Sequence, residues 1–281
     1  MRKKISVSVL ILVATFFVLG NIFAQETAKE AFDKGVKNSN SGKYDEAIID
    51  FSKAIELNSK IPEAYHNRGF AYKQKGAYDK AISDYSKAIE LDPNYGKAYD
   101  NRGTAYAMKG NLDQAISDYT KAIKINPNDA VAYNNRGNAY REKDNLDKAI
   151  TDCNKAIELN PNYALAYNTR GIAYDMKGSH DQAISDFNKT IELNPGFAEA
   201  YSNRGLAYAS KGNIKQVLSD FNKAIEINPN CAPAYYSRGL FYLDAKNYDG
   251  AWKDIHKAES LGVKIDPEVL ADLKKASGRD K

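Results

Sequence analysis

The chain has 281 residues, 43% of them hydrophobic and 20 of them tyrosine, which is ample material for a folded core and argues against a disordered protein. Its 40 basic and 36 acidic residues give a net charge of +4, and Arg2, Lys3 and Lys4 supply three of the positive charges. The rest of the chain is close to neutral. This balance gives no electrostatic support for nucleic-acid binding, which depends on neutralising phosphates.

The first 24 residues differ in composition from everything that follows. A basic start, MRKK, precedes an uncharged stretch from Ile5 to Phe23, and the small residue Ala24 comes just before the polar sequence QETAKE. This layout is typical of a secretory signal peptide, cleaved between Ala24 and Gln25. The alternative is an uncleaved membrane anchor, since the uncharged stretch approaches the length of a bilayer span. Either way we predict an exported protein, periplasmic or secreted, with no membrane contact beyond this segment.

A period of 34 residues runs from Ala28 to Ile265 without insertion or deletion. It is marked by a glycine in each unit, namely Gly35, Gly69, Gly103, Gly137, Gly171, Gly205 and Gly239. The seven units are residues 28–61, 62–95, 96–129, 130–163, 164–197, 198–231 and 232–265. Positions within a unit are numbered from 1 to 34, so that Pro62 is position 1 of the second repeat.

Each unit carries two stripes of apolar residues at helical spacing. In the second repeat, Tyr65 and Tyr72 lie seven residues apart in the first half, and Ala81, Tyr85 and Ala88 follow in the second half. A glycine at position 15 suits the left-handed conformation that closes a helix, and an Asp-Pro pair stops the second stripe. We therefore predict a helix, a tight turn, a second helix and another turn in each unit.

This pattern resembles the tetratricopeptide repeat. The signature residues in the second repeat are Tyr65, Gly69, Tyr72, Ala81, Tyr85, Ala88 and Pro93. The resemblance implies an all-α fold, a right-handed α-solenoid superhelix of helix-turn-helix repeats spanning residues 25–265. It also implies a protein or peptide partner, held in a concave groove lined by positions 2, 5, 6, 9, 12 and 13 of the first helices.

Residues 266–281 are predicted to form a C-terminal capping helix and tail. Asp266 suits the N-cap, Pro267 suits the first helical position, and Val269, Leu270 and Leu273 form an apolar strip. The end of a solenoid needs such a cover for its exposed face. Cys153 and Cys231 lie two repeats apart, so we predict two free thiols.

Position 7, usually leucine in this family, is an arginine in six repeats, and position 23 is an aspartate in all seven. One interpretation is a basic ladder that grips an acidic partner. The other is structural, because a charge beside a core stripe is costly unless it is paired. The numbers of arginines and aspartates favour pairing each aspartate with the arginine of the next repeat. Pairing within a repeat also works if Lys34 takes the place of the arginine in the first repeat. We predict six inter-repeat salt bridges: Asp50–Arg68, Asp84–Arg102, Asp118–Arg136, Asp152–Arg170, Asp186–Arg204 and Asp220–Arg238.

Position 6 is asparagine in four repeats, and an asparagine can bond both the N–H and the C=O of an extended peptide. The alternative is that asparagine is merely tolerated on the helix surface. The candidate peptide-binding residues in the groove are Asn67, Asn101, Asn135, Asn138, Asn203 and Tyr236. The carboxylate clamp of chaperone-binding relatives is not expected, because no lysine stands at position 5.

No catalytic constellation is recognisable. His66, His180 and His256 occupy unrelated repeat positions, and no phosphate loop or metal-spaced cluster occurs. We therefore predict a protein that is not an enzyme, without a cofactor or a metal site. The leading function is a protein-interaction scaffold. The alternative is a structural assembly module that stacks on itself or on an envelope complex through its ends or convex face.

Overall fold

The computed structural model describes residues 27–278, and the leader with its predicted cleavage site lies outside them. All regular structure in the described part is α-helical. Helix α1 covers residues 27–40. The helices that follow are α2 (Tyr44–Leu57), α3 (Pro62–Gln74), α4 (Tyr78–Leu91), α5 (Gly96–Met108), α6 (Leu112–Ile125), α7 (Ala130–Glu142), α8 (Leu146–Leu159), α9 (Ala164–Met176), α10 (His180–Leu193), α11 (Ala198–Ser210), α12 (Ile214–Ile227), α13 (Ala232–Asp244), α14 (Tyr248–Ser260) and α15 (Pro267–Ser277).

The helices divide into two compact units, one ending at Ala139 and the other beginning at Tyr140. In the first unit α3 packs on α4 and α5 on α6, and these hairpins join through α2–α3 and α4–α5 contacts. In the second unit the hairpins are α9–α10, α11–α12 and α13–α14, joined through α8–α9, α10–α11 and α12–α13. This consecutive helix-turn-helix packing confirms the predicted all-α solenoid.

Glycine at position 8 is explained by the aromatic ring at position 24. A Cβ atom added to Gly103 would lie 2.8 Å from Cε1 of Tyr119 and 3.2 Å from the carbonyl oxygen of Ala115. The same approach occurs at Gly171, where the added atom would lie 2.7 Å from Cε1 of Phe187. The two helices of a hairpin therefore come together over a residue that has no side chain.

Alanines form the joints between successive hairpins. Ala81 and Tyr85 of α4 form one buried cluster with Ala105 of α5, and Ala183 and Phe187 of α10 form another with Ala207 of α11. Small residues at positions 20 and 10 let the backbones approach, and the ring at position 24 fills the remaining volume. The spacing of the repeat thus encodes both the hairpin and the joint.

The tight turn inside each hairpin uses the left-handed region at position 15. Gly76 has φ 72° and Gly110 has φ 78°, as the C-terminal glycine of a helix commonly does. In the fourth and seventh repeats Asp144 (φ 58°) and Lys246 (φ 57°) adopt the same conformation. The turn is therefore kept even where the glycine is absent.

The second unit ends in helix α15. The side chain of Asp266 accepts a hydrogen bond of 2.9 Å from the N–H of Glu268, which caps the helix as predicted. Leu273 is fully buried in a cluster with Ala251 and Ile255, and the half-buried Trp252 packs against that cluster. The helix therefore covers the apolar face of the last repeat.

Both cysteines, Cys153 and Cys231, are free and buried. Burial raises the pKa of the Cys153 thiol to about 12, so it is a core residue with little thiolate character. Among the helices of residues 27–278, none combines the length and the apolar character needed to cross a membrane.

Candidate functional site

The arginines at position 7 pair with the aspartate of their own repeat, so the predicted inter-repeat register is wrong. Arg102 donates from Nε to Oδ2 of Asp118 at 2.7 Å and from Nη2 to Oδ1 at 2.8 Å. This two-pronged contact is the strong geometry for a guanidinium and a carboxylate. The same pairing within a repeat joins Arg68–Asp84, Arg170–Asp186, Arg204–Asp220 and Arg238–Asp254.

The first repeat shows why counting charges led to the wrong partner. Lys34 stands at position 7 there, and its Nζ lies 3.0 Å from Oδ1 of Asp50. Nδ2 of Asn38 also donates to Oδ2 of Asp50, at 2.7 Å. The lysine thus substitutes for arginine, and no aspartate of that repeat has to reach the next one.

The arginines do contact the preceding repeat, but through a neutral group. Nη1 of Arg102 donates to Oγ of Ser86, at position 25 of the repeat before it, over 2.9 Å. The acceptors along the series are Ser52, Ser86, Thr120, Asn154, Asn188 and Asn222, reached from Arg68, Arg102, Arg136, Arg170, Arg204 and Arg238. Position 25 carries Ser, Thr or Asn in each of these repeats, a pattern that was visible in the sequence. The guanidinium therefore bridges two repeats while its charge is neutralised in one.

Inter-repeat ion pairs exist at other positions. The lysine at position 14 pairs with the aspartate at position 18 of the repeat before it, in Lys75–Asp45, Lys109–Asp79, Lys177–Asp147 and Lys211–Asp181. These pairs lie at the surface, so each stabilises the joint only weakly. The seventh repeat has Ala245 at position 14, and the sixth has Lys215 at position 18, so both partners are replaced together at that joint.

The arginines are consequently not available as a gripping surface. Their guanidinium groups are held by carboxylates at one end and lie over the tyrosine at position 4, as in Arg102 over Tyr99 at 5.6 Å from the ring centroid. Hydrogen bonding to Asp118 raises the pKa of Arg102, which strengthens its permanent charge. The arginine series thus has a structural role, as the sequence indicated.

The asparagines at position 6 bond the side chain at position 5 of the preceding repeat. Nδ2 of Asn135 donates to Oδ1 of Asp100 at 3.1 Å, and Nδ2 of Asn203 donates to Oδ1 of Asn168 at 3.1 Å. Nδ2 of Asn101 lies 3.2 Å from Nε2 of His66 in the same register. One N–H of each of these amides is therefore used within its unit, and no hydrogen bond to Oδ1 of Asn135 or Asn203 occurs among the described residues.

Position 5 is more buried than the predicted groove lining implied. The buried residues there are His66, Asn134, Asn168 and Ser202. Oδ1 of Asn134 and Oγ of Ser202 have no hydrogen-bond partner among the described residues. The exposed residues of the first helices stand at other positions, with Met108 at position 13 and Val131 at position 2.

A hydrogen-bonded chain centred on His66 fixes the first two asparagines. Nδ1 of His66 lies 3.0 Å from Oδ1 of Asn67, while Nε2 faces the amide nitrogen of Asn101. Oδ1 of Asn101 accepts from Nζ of Lys73 at 2.8 Å, and its Nδ2 also donates to the carbonyl of Lys97 at 3.1 Å. These bonds require a neutral ring with the proton on Nδ1, and burial lowers the pKa of His66 in keeping with that form.

Two of the predicted residues line one cavity in the first unit. Its volume is about 300 Å³, and its walls are Val36, Ser39, Asn40, Phe51, His66, Asn67, Phe70 and Asn101. We call it the asparagine cavity. Apolar side chains form part of the wall and amide groups the rest, a combination found in ligand sites of this size. No carboxylate is among its lining residues, and Nζ of Lys73 lies 5.3 Å from the ring centroid of Phe70 at its edge.

The remaining predicted groove residues are placed differently. Asn138 is half-buried in the first unit, and Tyr236 is half-buried in the second, where it packs against the cluster around Ile255 and Leu273. The first helices of the second unit expose Leu165 at position 2, Met176 at position 13 and Leu206 at position 9. The first helices of the second unit therefore present apolar side chains at positions 2, 9 and 13.

Within residues 27–278 no group of three His, Cys, Asp or Glu side chains could hold a metal ion.

Models of the tetratricopeptide repeat match residues 62–95, 130–163, 164–197 and 198–231. Related repeat models match residues 40–76, 85–117 and 103–144. A search of curated proteins gave no match.

Solved structures of similar fold were also found. A tetratricopeptide repeat protein from Parabacteroides merdae ATCC 43184 is 24% identical, with 90% of this chain and all of that chain covered at a TM-score of 0.75. MamA is 37% identical over 57% of this chain and 94% of its own, at a TM-score of 0.51. YrrB, described as a repeat protein with an unusual peptide-binding site, is 30% identical over 66% of this chain and 95% of its own, at a TM-score of 0.51.

Proposed function

Because the chain belongs to the tetratricopeptide repeat family, whose members generally mediate protein–protein interactions and whose fold is typically a non-catalytic scaffold, we propose that it holds an extended peptide segment of a partner protein. The segment lies along the first-helix face, and the asparagine cavity receives one of its side chains. The observation that carries this proposal is that Asn67 and Asn101 line one cavity together with Phe70.

The amide groups of the series support a peptide ligand. Asn135 uses one amide N–H on Asp100 within the first unit, and its oxygen would accept a backbone N–H of the ligand. Asn67 differs, because its oxygen faces His66 and its Nδ2 is the group left to donate. A ligand with both N–H and C=O groups in regular alternation, such as an extended backbone, satisfies this mixture.

The proposal can be tested with an array of immobilised peptides and the purified protein. We expect bound sequences to carry an apolar or aromatic residue, and Asn67→Ala to weaken their binding by roughly tenfold, as loss of a buried hydrogen bond to a ligand does. Gln114→Ala, which removes an exposed amide on the second helix α6 of the same unit, is the matched control for ligands of the asparagine cavity. Binding that is equally strong in wild type and Asn67→Ala would count against the cavity.

We also propose that the protein acts outside the cytoplasm, on the basis of residues 1–24. Cell fractionation followed by N-terminal sequencing tests this. A mature chain beginning at Gln25 in the exported fraction is the expected result. An intact N-terminus in the membrane fraction would instead support the anchor, and recovery from the cytoplasm would contradict export.

A further inference from the structure

A charge pattern that five second helices share is reversed in the third repeat, and it is absent from the seventh, where Ser260 stands at position 29. The lysine at position 26 usually pairs with a glutamate three residues later, at position 29. The pairs are Lys53–Glu56 (3.1 Å), Lys87–Glu90 (2.7 Å), Lys155–Glu158 (2.6 Å), Lys189–Glu192 (2.6 Å) and Lys223–Glu226 (2.7 Å). In the third repeat position 29 is Lys124, so Lys121 faces a second lysine in place of a glutamate.

The two ammonium groups are left uncompensated. Lys121 and Lys124 lie on one face of α6 and are exposed, and neither forms an ion pair or a hydrogen bond within the part of the chain that the structure describes. Like charges at this spacing on a helix are mildly unfavourable. Lys124 therefore removes an ion pair that recurs in other repeats and adds a local positive charge.

These lysines line a cavity, which we call the lysine cavity. Its volume is about 510 Å³, and it is lined by Pro93, Asn94, Tyr99, Lys121, Lys124 and Ile125. It shares no residue with the asparagine cavity. Two cations stand against an apolar wall formed by a proline, an isoleucine and a tyrosine ring.

Two carboxylates close to these residues in sequence accept backbone hydrogen bonds. Oδ1 of Asp92 accepts the N–H of Asn94 at 2.9 Å, and Oδ1 of Asp129 accepts the N–H groups of Val131 and Ala132 at 3.0 and 3.2 Å. Neither aspartate is among the residues that line the lysine cavity. The cavity wall therefore contains two ammonium groups and no carboxylate.

We propose that the lysine cavity binds an acidic peptide segment of a partner protein. The ammonium groups of Lys121 and Lys124 take side-chain carboxylates of the segment, and a neighbouring apolar side chain packs on Tyr99 and Ile125. Charge complementarity selects the acidic segment and the apolar wall favours a peptide over a simple anion. This surface is independent of the first-helix face and gives the scaffold a second contact.

The test compares affinities for a fluorescein-labelled peptide of alternating glutamate and leucine, measured by anisotropy at low ionic strength. Lys124→Glu restores the pattern of the other repeats, so folding is expected to be preserved or improved. We expect this variant to bind the peptide roughly tenfold more weakly, because exposed ion pairs contribute modestly and one attraction becomes a repulsion. An unchanged affinity overturns the proposal.

A charge-matched control separates the cavity from overall charge. The double variant Lys124→Glu/Asp272→Lys keeps the net charge of the wild type and places the added lysine on the exposed side of α15. It should bind as weakly as Lys124→Glu, and recovery of wild-type affinity would show that only general charge matters. Displacement of the peptide by inorganic phosphate, beyond that by chloride at matched ionic strength, would assign the cavity to a phosphoryl ligand and also overturn the proposal.

Discussion

At the residue scale, the guanidinium of Arg102 satisfies three acceptors at once. Two are carboxylate oxygens of Asp118, and the third is the hydroxyl of Ser86 in the preceding repeat. The Arg102 side chain is 19% exposed and that of Asp118 is 8% exposed, so the pair is largely shielded from water. Replacing either partner alone leaves the other charge poorly solvated.

This geometry predicts the outcome of two double-mutant cycles. Arg102→Ala should lower the free energy of unfolding by about 3–5 kcal/mol. Its coupling to Asp118→Ala should exceed ~1 kcal/mol, whereas its coupling to Asp84→Ala should stay within ~0.5 kcal/mol, because that aspartate pairs with Arg68. Chemical denaturation of the wild type, the three single variants and the two double variants measures both. Stronger coupling to Asp84 than to Asp118 would contradict the observed register.

The histidine in the asparagine cavity predicts a dependence of stability on pH. Burial lowers the pKa of His66 in the folded protein, so the unfolded chain binds the proton more readily. The contribution of neutral His66 to the free energy of unfolding is therefore complete above its ordinary pKa of about 6.5. This contribution is lost as the pH falls through that value toward the lower pKa of the folded protein. Titratable groups around the ring include Lys73, Lys97 and Glu63, with Tyr85 and Tyr95 against its faces.

Comparing wild type with His66→Gln from pH 8 to pH 5 tests this effect. The difference in unfolding free energy between wild type and variant should be constant above about pH 7.5. As the pH falls below that value, the difference should shift in favour of the variant by up to ~1.4 kcal/mol per pH unit. Other groups titrate in both proteins and cancel in the difference. A difference that does not change with pH would show that His66 is protonated equally in both states.

At the element scale, the hairpin depends on a close approach between its two helices. Gly103 lies in the middle of α5, where alanine would ordinarily raise helix stability by about 1 kcal/mol. The ring of Tyr119 and the carbonyl of Ala115 occupy the space that a Cβ would need. Packing should therefore make alanine destabilising at position 103, the opposite of what helix propensity predicts.

We predict that Gly103→Ala lowers the free energy of unfolding by about 1–2 kcal/mol, the overpacking cost less the gain in propensity. Gly196→Ala is the matched control, because its added Cβ would meet nothing nearer than Oδ1 of Asn194 at 3.5 Å. Thermal unfolding of both variants decides the matter. A stabilised Gly103→Ala protein would mean that Tyr119 moves aside without cost.

At the scale of the whole molecule, a repeat in a solenoid contacts only its neighbours, so a terminal repeat is held from one side alone. Leu273 of α15 is fully buried against the last repeat, and the single tryptophan of the chain, Trp252, packs on the same cluster. Loss of the leucine side chain leaves a cavity beneath the covering helix. Tryptophan fluorescence therefore reports on this end of the molecule.

Leu273→Ala should cost about 2–5 kcal/mol and lower the unfolding midpoint seen by tryptophan fluorescence. The change should also speed labelling of the buried Cys231 thiol more than that of Cys153, which lies further from the C-terminal end. Asp272→Ala, an exposed change on the same helix, should stay within about 0.5 kcal/mol of wild type. Equal labelling rates at both thiols would indicate one cooperative unit in place of fraying from the end.

The sequence predicted the fold well because one 34-residue pattern is written seven times. It also identified which charges are structural. It failed on the register of the pairs, since pairing within a repeat and pairing between repeats use the same residue types. The side-chain distances, as in Arg102–Asp118 and Lys34–Asp50, distinguish the two. The burial of His66 and Ser202 was missed because spacing along a helix places position 5 near the groove, whereas coverage by the next repeat is a tertiary effect. The lysine cavity has a sequence signal, Lys124 in place of glutamate, that becomes meaningful only beside Tyr99 and Pro93.

Because each arginine pairs within its own repeat, the number of repeats can change without breaking an ion pair. Each of these hairpins contains both the arginine and the aspartate of its ion pair. The arginine's one hydrogen bond to the preceding hairpin goes to a hydroxyl or an amide oxygen. Duplication or loss of a whole 34-residue cassette therefore strands no ion in the interior. Had the ion pairs spanned the joints, the first hairpin of an array of any length would have kept an unpaired guanidinium and the last an unpaired carboxylate.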